Sequence, residues 1–218
     1  MGTVIATTTH WQTSCRSLQV LASILLLAGC TSLPAPQVAS QTIYVLEAQP
    51  ATKPARSKRN LVLAISAPET RPGFDTEQIA YVRQAHELNY FVTSQWADTP
   101  AHMLAPLLVQ AMEQTSSFQA VVQMPGAIPA DLRLDTELIR LQHDFMTRPS
   151  RIQLTVRAQL IDVRGQRVLG AKQFDVSENA DSENAYGGVT AANRAVQKLL
   201  DQLADFCVSE SVTRPAGK

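Results

Sequence analysis

The sequence predicts an α/β domain in which helices pack on a mixed β-sheet. Residues 60–66 form a nearly continuous apolar run, which is typical of a strand covered on both faces. Residues 151–176 alternate apolar and polar side chains around a central turn, as a hairpin does. Two other segments repeat apolar residues at helical spacing. Because strands and helices do not strictly alternate along the chain, a mixed sheet is favoured over a regular parallel one.

The first strands lie in the amino-terminal half of the domain. Residues 42–46 are a short β-prone run, and residues 78–83 and 88–92 flank a polar connection that is typical of a hairpin. Strands are also predicted over residues 118–123 and, at greater length, over residues 131–145, where leucines recur at even spacing. We expect these strands to share one sheet.

The first predicted helix begins near Pro100. Asp98 or Thr99 can accept hydrogen bonds from the first free amides, and Pro100 suits the first helical turn. The apolar residues at helical spacing are Met103, Leu104, Leu107, Leu108, Ala111 and Met112. Pro106 lies within this run, so we expect either a kink or a later helix start there.

The clearest strand and the last helix lie in the carboxyl-terminal half. The apolar residues of the strand are Ile152, Leu154, Val156, Ala158 and Leu160, and its partner strand follows the turn at residues 162–165. The last helix is predicted to open at Gly187-Gly188, which provide backbone freedom at the helix entry. Its apolar face comprises Val189, Ala192, Ala195, Val196, Leu199, Leu200 and Leu203.

The amino terminus has the pattern of a signal peptide. Residues 18–28 are an apolar run of the length of a signal h-region, roughly 7–15 residues, and fall short of the ~20 that a spanning helix needs. The run ends in Leu27-Ala28-Gly29-Cys30, which resembles the bacterial lipobox, in which the cysteine receives diacylglycerol and further acyl chains such as palmitate. We therefore expect cleavage before Cys30 and lipidation of Cys30. A buried helix that ends in Gly-Cys is the alternative.

Composition limits the domain count and the classes of partner. The predicted parts are a lipoprotein signal peptide over residues 1–29, a flexible tether over 30–41, one domain over 42–208 and a disordered tail over 209–218. After loss of the signal, with Arg16, about 190 residues remain and the net charge is about −1. This balance gives no electrostatic reason to expect nucleic-acid binding. Cys207 is then the only cysteine besides Cys30, so it is either a small apolar side chain on a helix or part of an intermolecular bridge.

Several short patterns follow one another in a characteristic order over about residues 30 to 206. They are Tyr44-Val45-Leu46, Gln78-Ile79-Ala80-Tyr81, Tyr90-Phe91 leading to Ser94-Gln95-Trp96-Ala97-Asp98-Thr99-Pro100, Met103-Leu104, Ala130-Asp131-Leu132-Arg133-Leu134, the 162–165 turn, Gly187-Gly188-Val189 and Ala191-Ala192-Asn193. Their order and spacing resemble the ABC-type transport auxiliary lipoprotein family. The hairpin differs from the family pattern at Asn89 and Val92, where an aromatic residue is common.

The resemblance implies a fold and a role. The implied fold is a three-layer α/β/α arrangement around a mixed sheet, similar to the amino-terminal domain of the Tol-system periplasmic protein. The implied partners are an MCE-domain protein and an ABC-type or related permease, which together move lipid between membranes. Thr31 follows the cysteine where an Asp would suggest inner-membrane retention, so the expected address is the periplasmic face of the outer membrane. Some members of the family form rings, so a homo-oligomer is compatible with the resemblance.

The sequence offers little that points to catalysis or to a metal or cofactor. No G-x-S-x-G or H-E-x-x-H motif occurs. His86 and His102 are expected to be exposed, and His143 has no cysteine or second histidine nearby at ligand spacing. The acidic stretch at Glu178, Asp181 and Glu183 is expected to be a solvated loop. We therefore expect a non-enzymatic protein without a cofactor.

Four aromatic residues are the candidate partner-binding set. They are Tyr81, Tyr90, Phe91 and Trp96, in or near the 78–92 hairpin. Core packing is one explanation of their size, and a surface that contacts a partner or lipid is the other. Two further functions stay open beside the transport role: an envelope scaffold that binds cell-wall or outer-membrane proteins, and a lipid carrier with its own cavity.

Overall fold

The computed structural model describes residues 40–48, 58–126 and 128–213, which belong to one compact unit. The elements in these ranges are β1 (Thr42–Tyr44), β2 (Val62–Ile65), β3 (Glu69–Thr70), β4 (Gln78–Val82), β5 (Asn89–Trp96), α1 (Pro100–Gln114), β6 (Ala120–Gln123), β7 (Leu132–Asp144), β8 (Arg151–Asp162), β9 (Arg167–Asn179) and α2 (Ala185–Glu210). A short 3-10 turn, Ser211–Thr213, follows α2. The predicted hairpins and helices are all present.

Strand β7 organises the sheet. On one side it pairs with β8 in antiparallel fashion along its whole length, and β8 pairs in the same way with β9. On its other side β7 pairs in parallel with three short strands in succession, namely β2, β3 and β4. Strand β6 extends the sheet beyond β2, while β5 and then β1 extend it beyond β4. The sheet is therefore mixed, as the sequence predicts.

Both helices lie on the same face of this sheet. Their apolar side chains meet those of β7 and β8 at Leu104, Leu108, Leu138, Val156, Leu199 and Leu203. The opposite face carries polar side chains that pair with one another: Arg133 donates to Asp135, and Glu137 accepts from Arg71 and Arg157. Because these charges are paired and hydrated, this face needs no apolar cover.

The layering corrects one expectation. The α/β class and the mixed sheet are confirmed, but within residues 40–48, 58–126 and 128–213 the helices form one layer rather than two. The alternation of β8 already indicates this, since Gln153, Arg157 and Gln159 alternate with buried apolar residues. A strand that is polar on one side can leave that side to water.

The helix starts follow from capping chemistry. The Thr99 hydroxyl accepts a hydrogen bond from the His102 amide at 3.4 Å, and Pro100 occupies the first helical position. Helix α1 continues through Pro106, which is exposed, so the helix does not start late. Helix α2 begins at Ala185 because the Asn184 side chain accepts from the Gly187 amide at 2.9 Å. This start lies two residues before the predicted one.

Several predicted parts lie partly or wholly outside the described residues. These are the signal peptide, Cys30 and most of the tether at the amino terminus, and residues 214–218 at the carboxyl terminus. The domain itself extends beyond its predicted end at residue 208: α2 runs to Glu210, and the buried Ser211 accepts a hydrogen bond from Arg59. Residues 209–213 therefore belong to the domain rather than to a disordered tail. None of the helices in the described ranges is both long enough and apolar enough to cross a membrane.

Cys207 is a free thiol in the core. It lies on the inner face of α2 and has no exposed surface. Burial among apolar side chains raises the pKa of the Cys207 thiol well above its usual range, because the thiolate would lose its hydration. This agrees with the prediction of a small apolar side chain and not with an intermolecular bridge.

We predict that Cys207 reacts with a water-soluble disulfide reagent only after unfolding. In a chain with Cys15 and Cys30 replaced by serine, Cys207 is the remaining thiol. Since its reaction requires opening of the core, this chain should react at least about 1000-fold more slowly when native than in guanidinium chloride. Absorbance of the released thiolate measures both rates. The Val168→Cys variant provides a reactive control, since Val168 is 54% exposed. Rapid native reaction of Cys207, or no free thiol in the unreduced unfolded chain, would contradict the structure.

Candidate functional site: an aromatic surface at one end of the sheet

Three chain segments converge where β7 ends. Tyr81 of β4 pairs with His143 of β7, and Asn89 of β5 pairs with Tyr81. The connection between β4 and β5 and the connection between β7 and β8 therefore lie at the same end of the sheet. We call this the aromatic end, defined by Tyr81, Arg83, Phe91 and Phe145.

An irregularity in β5 shapes this end. Gln78 pairs with Gln95 and Ala80 pairs with Tyr90, so residues 91–94 of β5 face a single residue of β4. Extra residues in one strand bend it and re-aim its side chains. As a result, Phe91 turns toward the neighbouring rings while Val92 is 84% exposed.

The aromatic rings form a half-buried cluster. The centroid of the Tyr81 ring lies 4.7 Å from that of Phe91 and 5.9 Å from that of Phe145, the latter in an edge-on arrangement. Ring pairs at these distances contribute about 0.5–1.5 kcal/mol each beyond the area they bury. The exposed Arg83 guanidinium lies 5.4 Å from the Tyr81 centroid and 5.5 Å from that of Phe145. The cluster thus presents aromatic surface with a cation held on it.

His143 forms the floor of the cluster. It has no exposed surface, and its ring centroid is 4.0 Å from that of Phe145. Its Nε2 is 2.8 Å from the Ser150 hydroxyl, whereas its Nδ1 is buried without a hydrogen-bond partner. Burial lowers the pKa of His143 from 6.5 to about 4, although the carboxylates of Glu183 and Asp144 act in the opposite direction. The imidazole is therefore neutral at physiological pH and packs as one more ring.

Helix α2 begins directly above His143. A Cβ atom at Gly188 would lie 2.5 Å from His143 Nδ1, and a Cβ at Gly187 would lie 2.2 Å from the Ser182 carbonyl oxygen. The two glycines lie inside the helix and lack positive φ angles, so close approach and not backbone freedom at the helix entry explains them. This corrects the sequence-based interpretation. Gly188 lets the helix rest on the aromatic end without a gap.

Comparison with protein families now identifies the chain. Residues 44–204 match the family described as the ABC-type transport auxiliary lipoprotein component. The chain belongs to this family. The match covers nearly the whole described domain, and it includes every element of the aromatic end. Comparison with curated proteins gives no significant match.

Solved structures share the fold of this chain. Protein XCC0632 from Xanthomonas campestris superposes with a TM-score of 0.73 at 21% sequence identity, over 78% of this chain and 97% of that one. The hypothetical protein CT253 from Chlamydia trachomatis gives a TM-score of 0.51 at 9% identity, over 69% of this chain and 99% of that one. At these identities the likeness establishes the fold alone.

The candidate partner-binding set of this auxiliary lipoprotein divides into exposed and structural members. Tyr81 and Phe91 belong to the half-buried cluster. Trp96 is only 2% exposed and belongs to the core, so it cannot contact a partner, and its inclusion in the set was wrong. Tyr90 is partly buried, and its hydroxyl donates to the Gly73 carbonyl at 2.9 Å. That bond fastens the segment before β4.

Arg83 and Phe145 belong to the aromatic end but were not among the predicted site residues. Arg83 and Phe145 lie just beyond the ends of β4 and β7, where no periodic pattern marks them. Only the pairing of Tyr81 with His143 brings the two strand ends together. The signal that could have found them is weak, namely an aromatic or basic residue at the last position of a predicted strand.

The other polar candidates have structural roles or face solvent. His86 and His102 are exposed, as expected. Within the described ranges no three His, Cys, Asp or Glu side chains are grouped so that they could hold a metal ion. The acidic stretch is less simply solvated than expected: Asp181 pairs with Arg194 at 2.8 Å, and Glu183 accepts from the Ser150 amide at 2.8 Å. These bonds lower the pKa of both carboxyl groups and fasten the loop before α2.

We predict that Gly188→Ala destabilises the domain. An alanine in a helix interior usually stabilises by about 1 kcal/mol relative to glycine. Here the added methyl group overlaps His143, so overpacking should reverse the sign and cost about 1–3 kcal/mol. Urea unfolding measures the difference. The exposed Gln197→Ala on the same helix is the control, and a Gly188→Ala chain as stable as that control would refute the close contact.

We also predict a pH-dependent contribution of His143 to stability. The unfolded chain binds a proton at His143 below about pH 6.5, whereas the folded chain does so only near pH 4. Stability from this residue is therefore complete above pH 6.5 and is lost as the pH falls toward 4. The His143→Phe variant lacks this titration, so its stability difference from the wild type should change by about 1–2 kcal/mol over that window.

Urea unfolding at several pH values between 4 and 7 tests this expectation. The control is Gln197→Ala, because Gln197 is exposed and carries no titratable group, so the pH profile of this variant should run parallel to that of the wild type. Parallel pH profiles for the wild type and His143→Phe would show that His143 is not held neutral by the fold.

Proposed function

We propose that the chain is a non-enzymatic auxiliary lipoprotein of an MCE-type, ABC-driven system that carries lipid between membranes. A lipid on Cys30 would hold it at the periplasmic face of the outer membrane, where it docks on the periplasmic MCE component. The family match over residues 44–204 is the observation that carries this proposal, because it covers the domain from the last residue of β1 to Ala204 within α2. The lipobox at residues 27–30 supports the anchor.

The described domain suits a docking role better than a carrier role. Its interior is filled by apolar side chains from the sheet and both helices, and the groove on the polar face is lined by paired charges. A lipid carrier needs an apolar cavity that encloses most of its ligand. The proposal therefore assigns lipid movement to the partner proteins and anchoring and docking to this chain. A tethered docking partner also works at modest affinity, because the anchor raises its local concentration.

A pull-down of the tagged full chain from detergent-solubilised envelopes tests the proposal. We expect recovery of an MCE-domain protein, identified by mass spectrometry. The matched control is Cys30→Ser placed behind a signal peptide whose removal does not require the cysteine. It then changes only the proposed anchor and should move the chain from the membrane pellet to the soluble periplasmic fraction.

Two outcomes would overturn separate parts of the proposal. If only cell-wall or barrel-assembly proteins are recovered with the wild type, the transport role fails and an envelope scaffold replaces it. If Cys30→Ser remains in the membrane pellet to the same extent as the wild type, the lipid anchor at Cys30 fails.

A further inference from the structure

The direction of β1 shows where the proposed tether leaves the domain. Strand β1 runs parallel to β5, with Thr42 beside Ser94 and Tyr44 beside Trp96. Since β5 begins at the aromatic end with Asn89, the backbone that precedes Thr42 runs back toward that end. Traced in this direction, the first described residue, Ser40, leads toward the exposed Val92. The described domain therefore begins, at Ser40, on the side of the aromatic end.

The length of the tether limits which part of the domain can face the membrane. Nine residues lie between Cys30 and Ser40, so ten Cα steps join the two residues. Covalent geometry therefore allows a distance of at most about 35 Å between them. Strand β7, at 13 residues, is about 40 Å long. A bilayer that holds Cys30 is therefore much closer to the aromatic end than to the far end of the sheet.

The chemistry of the aromatic end matches a lipid–water interface. Apolar side chains project into solvent there: Val92 is 84% exposed and Met146 is 52% exposed. Half-buried rings lie behind them, and Arg83 and Arg148 are exposed cations at the same end. Aromatic rings concentrate at membrane interfaces, and arginine guanidinium groups bind phosphate oxygens.

We propose that the aromatic end rests on the phospholipid surface of the membrane in which Cys30 is anchored. Val92 and Met146 enter the headgroup region, and Arg83, held over the Tyr81 and Phe145 rings, faces lipid phosphates. The long axis of the sheet then points away from the bilayer. This inference rests on the lipid anchor of the proposed function and adds an orientation to it.

The orientation leaves the opposite end of the sheet in the periplasm. That end carries Met124, Ile128 and Val163, which are exposed and surround an apolar cavity of about 130 Å³. It contains the connection between β8 and β9, beside the start of β7. In this orientation a protein partner in the periplasm would bind the opposite end of the sheet, and Tyr81 and Phe91 would face the membrane.

Depth-dependent fluorescence quenching tests the proposal on the full lipidated chain. An environment-sensitive dye is attached to Val92→Cys, or to Val168→Cys near the opposite end as the matched control; both side chains are exposed, so labelling leaves the core intact. Cys207 is buried and stays unlabelled in the native chain. Each protein is reconstituted into vesicles of phosphatidylethanolamine and phosphatidylglycerol, with and without brominated acyl chains.

We expect brominated lipid to quench the dye at position 92 several-fold more than the dye at position 168. Quenching that is equal at the two positions, or absent at 92, while the protein floats with the vesicles, would overturn the orientation and leave the lipid anchor intact. Failure of the wild-type chain to float with the vesicles would overturn the anchor itself, and the orientation with it.

A second variant tests the role of the guanidinium group. Arg83→Gln keeps a polar side chain with an N–H donor but removes the charge, and should lower quenching at position 92 in vesicles that contain phosphatidylglycerol. Unchanged quenching in this variant would show that Arg83 does not contact lipid phosphates.

Discussion

The fold depends on the pairing of one long strand. Strand β7 has a full-length antiparallel partner on one side and accepts three short parallel strands on the other. Each of these short strands is too short to be stable alone, so β7 fixes their positions along the sheet. Burial of alternate residues of β7, such as Leu132, Leu134 and Leu138, fixes the register, because a slip by one residue would expose all of them. The two ends of the domain are consequently the two ends of β7.

The aromatic end arises where β7 ends beneath α2. The close approach of Gly188 to His143 lets the helix cover the ring, and this cover removes the imidazole from water. The neutral ring and its unpaired Nδ1 are the cost of that contact. Phe145 and Phe91 pack against the buried His143 ring, which holds the aromatic cluster in one arrangement. Because its side chains are already ordered, a surface of this kind can bind lipid with little further loss of side-chain entropy.

The sequence was informative where one strand or helix determines its own pattern. The alternation of β8 and the helical spacing of α2 predicted both elements within a few residues. The parallel pairings of β7 were not predictable, because they join segments that lie far apart in the chain. The same limit explains the aromatic residues: Tyr81 and Trp96 are both predicted only as large aromatic side chains. The irregular pairing of β4 with β5 changes the register before Trp96, which lies in the core. The sequence analysis singled out Gly187 and Gly188 for their backbone freedom. Their close contacts with other residues could not be predicted, because such contacts produce no local sequence pattern.

A protein with two distinct ends suits a task between two partners of different chemistry. At the aromatic end, rings and arginines lie close to Ser40, the first described residue. The opposite end carries a small aliphatic patch at Ile128 and Val163, beside the ion pairs of Arg164 and Arg167. If the anchor holds the first end at a bilayer, the second lies about 40 Å from it, a distance set by β7. A short tether also confines the domain to a thin layer above the membrane, so docking at the far end needs little intrinsic affinity. The modest apolar area around Ile128 is then sufficient, and a larger exposed patch would only promote aggregation.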